Sequence, residues 1–243
     1  MKPALIVVVG PTGIGKTRLA VEVAQHFHTE IISADSRQVY AETAIGTAQP
    51  TQQEMATVKH HLVGHKSVKD YYNASMFEQE VLSLLNSLYG RYTEVIMTGG
   101  SGLYIDAVLK GIDDLPTIDP IIRTELLQTF EKRGLDWLQN EVAQIDPDYY
   151  TGVDKKNPKR LLKAIEIYRM TGKPYSSFLT RPKRERPFHP IKIGLNMDRN
   201  ELYHRINTRV DQMVASGLEQ EVRALYPYRS LNALNTVGYR EIF

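Results

Sequence analysis

The residues best suited to chemistry lie near the N-terminus, in a glycine-rich segment that ends in a lysine and a threonine. The segment reads Gly10-Pro11-Thr12-Gly13-Ile14-Gly15-Lys16-Thr17 and fits the pattern G-x-x-x-x-G-K-[ST] at every position. In such a loop the backbone amides converge on phosphate oxygens, and the helix that follows adds partial positive charge. The Lys16 ammonium adds a full charge, and the Thr17 hydroxyl can hold Mg²⁺. The segment therefore predicts a phosphate site, for ATP or for another phosphate compound.

Two further polar segments lie where buried strands are expected to end. Asp35-Ser36-Arg37-Gln38-Val39-Tyr40 follows one apolar run, and Thr98-Gly99-Gly100-Ser101-Gly102-Leu103-Tyr104 ends another. A carboxylate at the carboxyl end of a parallel strand lies beside the phosphate loop. On position alone, Asp35 is a helix cap, a Mg²⁺ ligand or a group that acts on substrate. An ATPase would also need an acid near the end of a strand, and Val95-Ile96-Met97-Thr98 has none, which argues against nucleotide hydrolysis.

The elements that must position these segments alternate between strand and helix. Apolar runs predict strands at residues 4–9, 30–34 and 94–98, and apolar residues at helical spacing predict helices at 16–27 and 76–88. This alternation is typical of an α/β fold, with a P-loop NTPase-like core whose parallel sheet is flanked by helices.

After Gly111 the predicted elements become helical. Helices are expected at 121–133, 135–144 and 158–170, followed by a strand at 191–197 and one long helix at 202–225. In that long helix, Ile206, Val210, Met213 and Val214 form the expected buried stripe. We therefore predict an α/β core from residues 1–112 and 190–243, interrupted by a helical insertion domain at 113–189.

The net charge of +2 conceals a strong separation of charge. Residues 151–190 contain eleven Lys or Arg and three Asp or Glu, so this segment carries +8 and the rest of the chain −6. A basic segment on an otherwise acidic chain indicates a polyanionic partner such as nucleic acid. The alternative is a solvated basic face that only keeps the protein soluble.

Composition excludes several other classes of protein and site. The 243 residues include no cysteine, so a disulfide framework and a thiolate metal site are impossible. The longest apolar run, residues 4–9, is far too short to span a bilayer. We therefore expect a cytoplasmic protein without membrane contact. We also expect a monomer. His60 and His61 are adjacent on an extended segment and point apart, which does not favour a zinc site.

Taken together, these segments resemble the bacterial type of tRNA dimethylallyltransferase. The phosphate loop and both polar segments occur in the family's order, followed by similar segments at 157–160, 171–174, 209–222 and 236–241. The resemblance runs from Val9 to the last residues, and only the phosphate loop is widely shared among other families. The chain stops at Glu241-Ile242-Phe243, within a family motif, so we expect it to be truncated at its C-terminus.

The resemblance implies an activity and a role for several side chains. A dimethylallyl group would pass from dimethylallyl diphosphate to the exocyclic amine of the adenosine next to the anticodon in tRNA. Asp35 would be the general base, and residues Gly10 to Thr17 would bind the diphosphate with Mg²⁺ as cofactor. Arg209 would be a further cation on the diphosphate, and Thr98 would support the diphosphate or Asp35. By spacing alone, Arg209 is instead a surface arginine paired with Asp211 or Glu201.

The resemblance also implies where the tRNA anticodon stem-loop binds. Residues expected near the target base and its neighbours are Thr12, Ser36, Arg37, Gln38, Gly100 and Ser101. Contacts with the phosphates of the stem are expected from basic residues of the insertion. These are Lys159, Arg160 and Lys163 on a helix, and Arg181, Lys183, Arg184 and Arg186 on a loop.

Three other functions use the same residues differently. A small-molecule kinase would bind ATP in the phosphate loop, but the metal-ligating acid that it needs after the third strand is missing. An isopentenyltransferase for free adenine nucleotides would have little use for the basic insertion. A catalytically inactive RNA-binding module would keep every basic residue, and Asp35 is what separates it from the enzyme.

Replacing Asp35 with alanine therefore discriminates between enzyme and binding module. We expect Asp35→Ala to bind RNA normally and to lose transfer activity by on the order of 10²-fold or more, as is typical when a general base is removed. Filter binding and a product assay on the same preparation measure both quantities. Unchanged activity would contradict the role given to Asp35.

Overall fold

The computed structural model describes residues 2–113, 115–116, 118–180 and 184–243. The chain divides into two compact units, one formed by Met1–Gly111 with Arg184–Phe243 and the other by Ile112–Lys183. The predicted RNA contacts Arg181 and Lys183 lie outside the described residues. No helix in the described part of the chain is long and apolar enough to cross a membrane.

The first unit is built on a sheet of five parallel strands in the order β3-β2-β4-β1-β5. The strands are β1 (Ala4–Val9), β2 (Ile31–Ser33), β3 (His60–His61), β4 (Glu94–Thr98) and β5 (His189–Gly194). The helices of this unit are α1 (Lys16–His26), α2 (Gln52–Thr57), α3 (Ala74–Leu88), α4 (Gly102–Lys110), α8 (Arg199–Ala215) and α9 (Leu218–Leu225). Short 3₁₀ turns occur at Ala41–Thr43, Tyr226–Tyr228 and Asn232–Leu234. The predicted α/β fold with a parallel sheet is confirmed.

The centre of the sheet is apolar on both faces, which explains the continuous hydrophobic run of β1. Leu5, Ile6, Val7 and Val8 are all buried. Strands in the middle of a parallel sheet are covered on both sides, so alternation with polar residues is lost. The register pairs Thr98 with both Val8 and Ser33. The turns that follow β1, β2 and β4 are thereby brought to one edge of the sheet.

The second unit is helical and has a core of its own. It contains α5 (Pro120–Ile145), α6 (Pro147–Gly152) and α7 (Pro158–Thr171), with a 3₁₀ turn at Tyr175–Phe178. Its core comprises Leu126, Trp137, Leu138, Val142, Leu161, Leu162, Ala164 and Ile165. The two helices expected at 121–133 and 135–144 are confirmed as the two helical parts of α5, which are separated by non-helical backbone at Gly134 (φ 74°).

The second unit ends earlier than the sequence prediction of residue 189. The boundary falls at Lys183 because the segment that follows is bound to the first unit. The Arg186 guanidinium donates to a carboxylate oxygen of Glu78 at 2.6 Å and to the Ala107 carbonyl at 2.7 Å. Both Arg186 and Glu78 are buried. Because Arg186 is bound to Glu78 and Ala107, which belong to the first unit, the segment that carries Arg186 is also part of the first unit.

The prediction of a single long helix at 202–225 with one buried stripe is wrong in two respects. The helix breaks at Gly217, whose φ of 101° is in the left-handed region that glycine tolerates best. The predicted buried stripe is also wrong, because Val210 and Val214 are 48% and 57% exposed. Ile206 contacts the phosphate loop at Gly13, but no residue of α8 is buried. Apolar periodicity predicts which residues share a face of a helix. It does not show whether another element covers the whole of that face.

Gly99 lets the turn after β4 pass the turn after β2. A Cβ atom at Gly99 would lie 2.1 Å from the Ala34 carbonyl oxygen, whereas one at Gly102 would meet no atom within 4 Å. We therefore expect Gly99→Ala to lower the free energy of unfolding by about 1–3 kcal/mol, as overpacking usually does. Gly102→Ala is the matched control and should change it by less than about 0.5 kcal/mol. Denaturant titration of both variants is the measurement, and equal midpoints would contradict the close approach.

Candidate active site

A cleft of about 800 Å³ opens at the carboxyl edge of the sheet. Its walls include the turns that follow β1, β2 and β4, together with one face of α8. It brings together most of the residues predicted for the site in the first unit. These are Gly10, Pro11, Thr12, Gly13, Gly15, Lys16, Thr17, Asp35, Ser36, Arg37, Gln38, Thr98, Gly100, Ser101 and Arg209. Ile14 of the phosphate loop is instead buried and does not line the cleft.

The phosphate loop leads directly into α1. Gly15 caps the helix with a left-handed backbone (φ 99°), which leaves the first amides of α1 pointing out of the helix end. The Lys16 ammonium lies across the loop, where it donates to the carbonyl oxygens of Gly10 at 3.0 Å and Pro11 at 2.9 Å. Helix amides and a lysine ammonium therefore meet at one place, as an anion site requires.

Asp35 is fixed through one of its two carboxylate oxygens. Oδ1 accepts hydrogen bonds from the backbone amides of Arg37 at 2.9 Å and Gln38 at 3.4 Å. Oδ2 points toward Gly100, where a Cβ atom would lie 3.2 Å from it. Because Asp35 lines the cleft, this arrangement orients the carboxylate and leaves its second oxygen beside the cleft wall. An oriented carboxylate with an oxygen available is what a general base needs.

The turn after β4 holds the turn after β2 in place. The Ser101 hydroxyl accepts from the Ser36 amide at 2.8 Å and donates to the Ser36 hydroxyl at 3.0 Å. The Ala34 amide donates to the Thr98 carbonyl at 2.7 Å. The buried Thr98 hydroxyl donates to the Val8 carbonyl at 3.3 Å. Thr98 therefore ties β4 to β1 directly behind the cleft.

Three charged side chains influence one another inside the cleft. Burial lowers the pKa of the Lys16 ammonium, while the nearby Asp35 carboxylate raises it and Arg209 lowers it. Burial also lowers the pKa of Arg209, and Asp35 raises it. Glu201, one of the two partners expected for a surface arginine, pairs instead with Arg205 at 3.5 Å. Arg209 therefore faces Asp35 and the phosphate loop.

Two residues predicted to touch the substrate have protein partners in the structure. The Arg37 guanidinium donates to the carbonyl oxygens of Asn232, Ala233 and Asn235 at 2.7–3.3 Å. The Gln38 side-chain amide donates to the carbonyls of Thr47 and Ala48 at 3.1 and 2.8 Å. Both side chains line the cleft, but these hydrogen bonds give them a role in holding its walls.

Several cleft residues lie outside the segments singled out in the sequence. They are Arg18, Ser33, Thr47, Ala48, Gln49, Pro50, Thr51, Glu54 and Arg205. The stretch 47–51 has no motif of its own, and two side chains bind it to the segment that follows Asp35. Gln38 donates to the carbonyls of Thr47 and Ala48, and Gln49 donates to the carbonyls of Gln38 and Tyr40. Helical spacing does place Arg205 and Gln212 on the same face of α8 as Arg209, and that face is the one that lines the cleft.

Comparison with known proteins assigns the chain to a family. Residues 38–243 match the model of the IPP transferase family. A tRNA dimethylallyltransferase of Bacteroides thetaiotaomicron is 55% identical over 99% of this chain and 78% of its own length. One of Parabacteroides distasonis is 56% identical over 99% of this chain and 80% of its own length. The chain belongs to the IPP transferase family.

Solved structures of similar proteins agree with this membership. The tRNA isopentenylpyrophosphate transferase of Bacillus halodurans has a TM-score of 0.66 at 33% identity, covering 100% of this chain and 76% of its own. A eukaryotic dimethylallyltransferase acting on tRNA has a TM-score of 0.75 at 29% identity, covering 95% of this chain and 57% of its own.

The basic residues of this family member differ in what their side chains contact. Lys159 and Arg160 at the start of α7 are exposed. Lys163 is half-buried, and burial lowers its pKa while the nearby Glu166 carboxylate raises it. Arg184 lies 3.5 Å from the buried Glu78 carboxylate. Of these residues, Lys159 and Arg160 present exposed charges that suit a phosphate, whereas Lys163 and Arg184 lie beside protein carboxylates.

The residues present fit a magnesium ion that is shared with a bound diphosphate. The Thr17 hydroxyl lines the cleft and offers an oxygen ligand of the kind that Mg²⁺ prefers. No group of three or more His, Asp or Glu side chains in the described ranges could hold a metal by itself. Mg²⁺ commonly takes its remaining ligands from phosphate and water, so a site of this kind does not need a cluster of carboxylates.

Removing the Arg209 charge should weaken the binding of an allylic diphosphate. A charged hydrogen bond in a partly buried site contributes about 1.5–3 kcal/mol, so we expect Arg209→Gln to lower kcat/KM by roughly 10- to 100-fold. Arg199→Gln is the control, because Arg199 lies on the same helix and donates to Tyr203 at 2.7 Å. Steady-state kinetics with varied diphosphate substrate test this, and equal kcat/KM values for the two variants would contradict the assignment.

Proposed function

We propose that the chain is a tRNA dimethylallyltransferase that alkylates the exocyclic amine of an adenosine in the anticodon loop and releases diphosphate. The observation that carries this proposal is the joint presence of Asp35, Lys16 and Arg209 in one cleft. A carboxylate suited to accept a proton thereby lies beside the cations and amides that suit a diphosphate.

The chemistry follows from the groups in the cleft. The adenine amine attacks the first carbon of dimethylallyl diphosphate, a C–N bond forms, and the C–O bond to the diphosphate breaks. The amine is a poor nucleophile, and it becomes a competent one as its proton passes to Asp35. Negative charge grows on the departing oxygen and is stabilised by the loop amides, Lys16 and Arg209. The phosphate loop thus binds a leaving group, and no phosphoryl group is transferred.

Magnesium has a place in this proposal as a partner of the leaving group. Thr17 is the residue that would hold it, together with oxygens of the diphosphate. When bound, the ion would neutralise part of the diphosphate charge and so make it a better leaving group. Lys16 and Arg209 supply the same kind of stabilisation from the protein.

The RNA partner follows from the geometry that the chemistry requires. The amine must enter a cleft, so the base has to leave its stack, which costs least for an unpaired nucleotide in a loop. The exposed cations Lys159 and Arg160 are suited to the phosphates of the adjoining stem. The enzyme is proposed to act as a monomer in the cytoplasm, on the adenosine next to the anticodon.

Mass spectrometry of the RNA tests this proposal directly. An anticodon stem-loop incubated with the protein, Mg²⁺ and dimethylallyl diphosphate should gain one C5H8 unit on the loop adenosine. Parallel incubations with ATP in place of the diphosphate, or with Asp35→Asn, should give no gain. Phosphate added from ATP would instead identify a kinase. Binding of the stem-loop without any modification would favour the inactive RNA-binding module.

A further inference from the structure

A carboxylate far along the chain from the catalytic segments holds one wall of the cleft. Glu221 lies on α9, and its two oxygens accept three hydrogen bonds. The donors are the backbone amides of Ile45 at 2.8 Å and Gly46 at 2.9 Å, and the Tyr239 hydroxyl at 2.5 Å. Two of these donors belong to the segment that runs into the cleft wall at Thr47.

Tyr239 completes this contact by packing as well as by hydrogen bonding. Its side chain is fully buried, and the Phe243 ring lies 6.4 Å away, centre to centre. A Cβ atom at Gly46 would lie only 2.5 Å from the Tyr239 hydroxyl oxygen and 2.7 Å from its ring. Gly46 and Tyr239 therefore pack closely against each other, and Glu221 accepts a hydrogen bond from each of them.

Hydrogen bonds continue from this pair to the catalytic carboxylate. Gln38 donates from its side chain to the carbonyls of Thr47 and Ala48. Its backbone amide donates to Asp35 Oδ1 at 3.4 Å. Gln49 lies in the same wall, and its side-chain amide donates to the carbonyls of Gln38 and Tyr40 at 3.0 and 2.8 Å. The wall at 47–49 and the Asp35 turn thus form one connected network.

A second connection leads from Asp35 to the same C-terminal region. The Arg37 amide donates to Asp35 Oδ1 at 2.9 Å, and the Arg37 guanidinium binds three carbonyls of the segment 232–235. Thr236, the next residue, lines the cleft. Tyr239 follows one turn later. The turn that carries Asp35 is therefore bound to the loop that Glu221 holds and, through Arg37, to the segment that leads into Tyr239.

We propose that Glu221 and Tyr239 are positioning residues for the transfer reaction, which set the orientation of Asp35 through loop 45–49 and Arg37. This inference rests on the proposed function. Neither residue is among those that line the cleft, and Tyr239 is fully buried, so we place neither against the reacting groups. Gly46 has no side chain that could hold its segment in place. The segment is held instead by the backbone amides of Ile45 and Gly46, which donate to Glu221 together with the Tyr239 hydroxyl. A shift of about 1 Å in a catalytic group is enough to cost on the order of 10²-fold in rate.

The substitution Glu221→Gln tests the proposal, with Glu219→Gln as the matched control. Glutamine keeps the shape of the side chain but has one acceptor oxygen where three donors converge. Glu219 lies on the same helix, is exposed and pairs only with Arg223 among the described residues. We expect Glu221→Gln to speed amide exchange at residues 45–49 and to lower kcat by roughly 10- to 100-fold. The KM for dimethylallyl diphosphate should stay near its original value, because the phosphate loop does not depend on Glu221.

Tyr239→Phe provides a second, milder variant that keeps the ring against Gly46. It should show the same pattern at smaller amplitude, since Glu221 retains both backbone amides. Normal kcat despite faster exchange at 45–49 would overturn the proposal. So would a parallel loss of kcat, of inorganic diphosphate affinity and of Tm, because that pattern indicates general destabilisation. Hydrogen exchange and diphosphate binding need no turnover, so they test the loop contact even if the proposed reaction fails.

Discussion

Two backbones pass each other at the carboxyl edge of the sheet, and the site depends on how closely they do so. The turn after β4 touches the turn after β2, where the Ala34 amide donates to the Thr98 carbonyl and Gly99 leaves no room for a Cβ atom. The Ser101 hydroxyl then accepts from the Ser36 amide and donates to the Ser36 hydroxyl. Asp35 lies between these contacts, so its position is determined by the register of the central strands.

The same cleft has to hold an anion and a base, and its charges are arranged accordingly. Lys16 and Arg209 are partly withdrawn from water, which strengthens their interaction with any anion that enters. Asp35 is near enough to both to affect their pKa values. An incoming diphosphate would compete with Asp35 for these cations, so binding of the donor and availability of the base are linked. This link is a consequence of placing both functions at one edge of a parallel sheet.

The basic segment of the chain shows that charge counts and charge locations are different observations. A count over residues 151–190 indicates a polyanion partner, yet Arg186 is buried against Glu78 and Lys163 lies beside Glu166. Lys159 and Arg160 remain exposed at the start of α7. Periodicity on a helix predicts which residues share a face. It cannot say which of them find a carboxylate elsewhere in the fold, because those partners are distant in sequence.

The sequence by itself determined the parallel α/β fold, the phosphate loop and the two polar turns, because each depends on local patterns. A continuous apolar run predicts a central strand, and the glycines before Lys16 predict an anion loop. Asp35 and Thr98 were predictable for the same reason, since residues that follow parallel strands share one edge. The tertiary structure decided what spacing cannot encode. Arg209 lines the cleft near Asp35, Val210 and Val214 are exposed, and the Arg37 guanidinium binds the C-terminal segment. These outcomes depend on which distant groups come into contact, and that is set by packing of the whole chain.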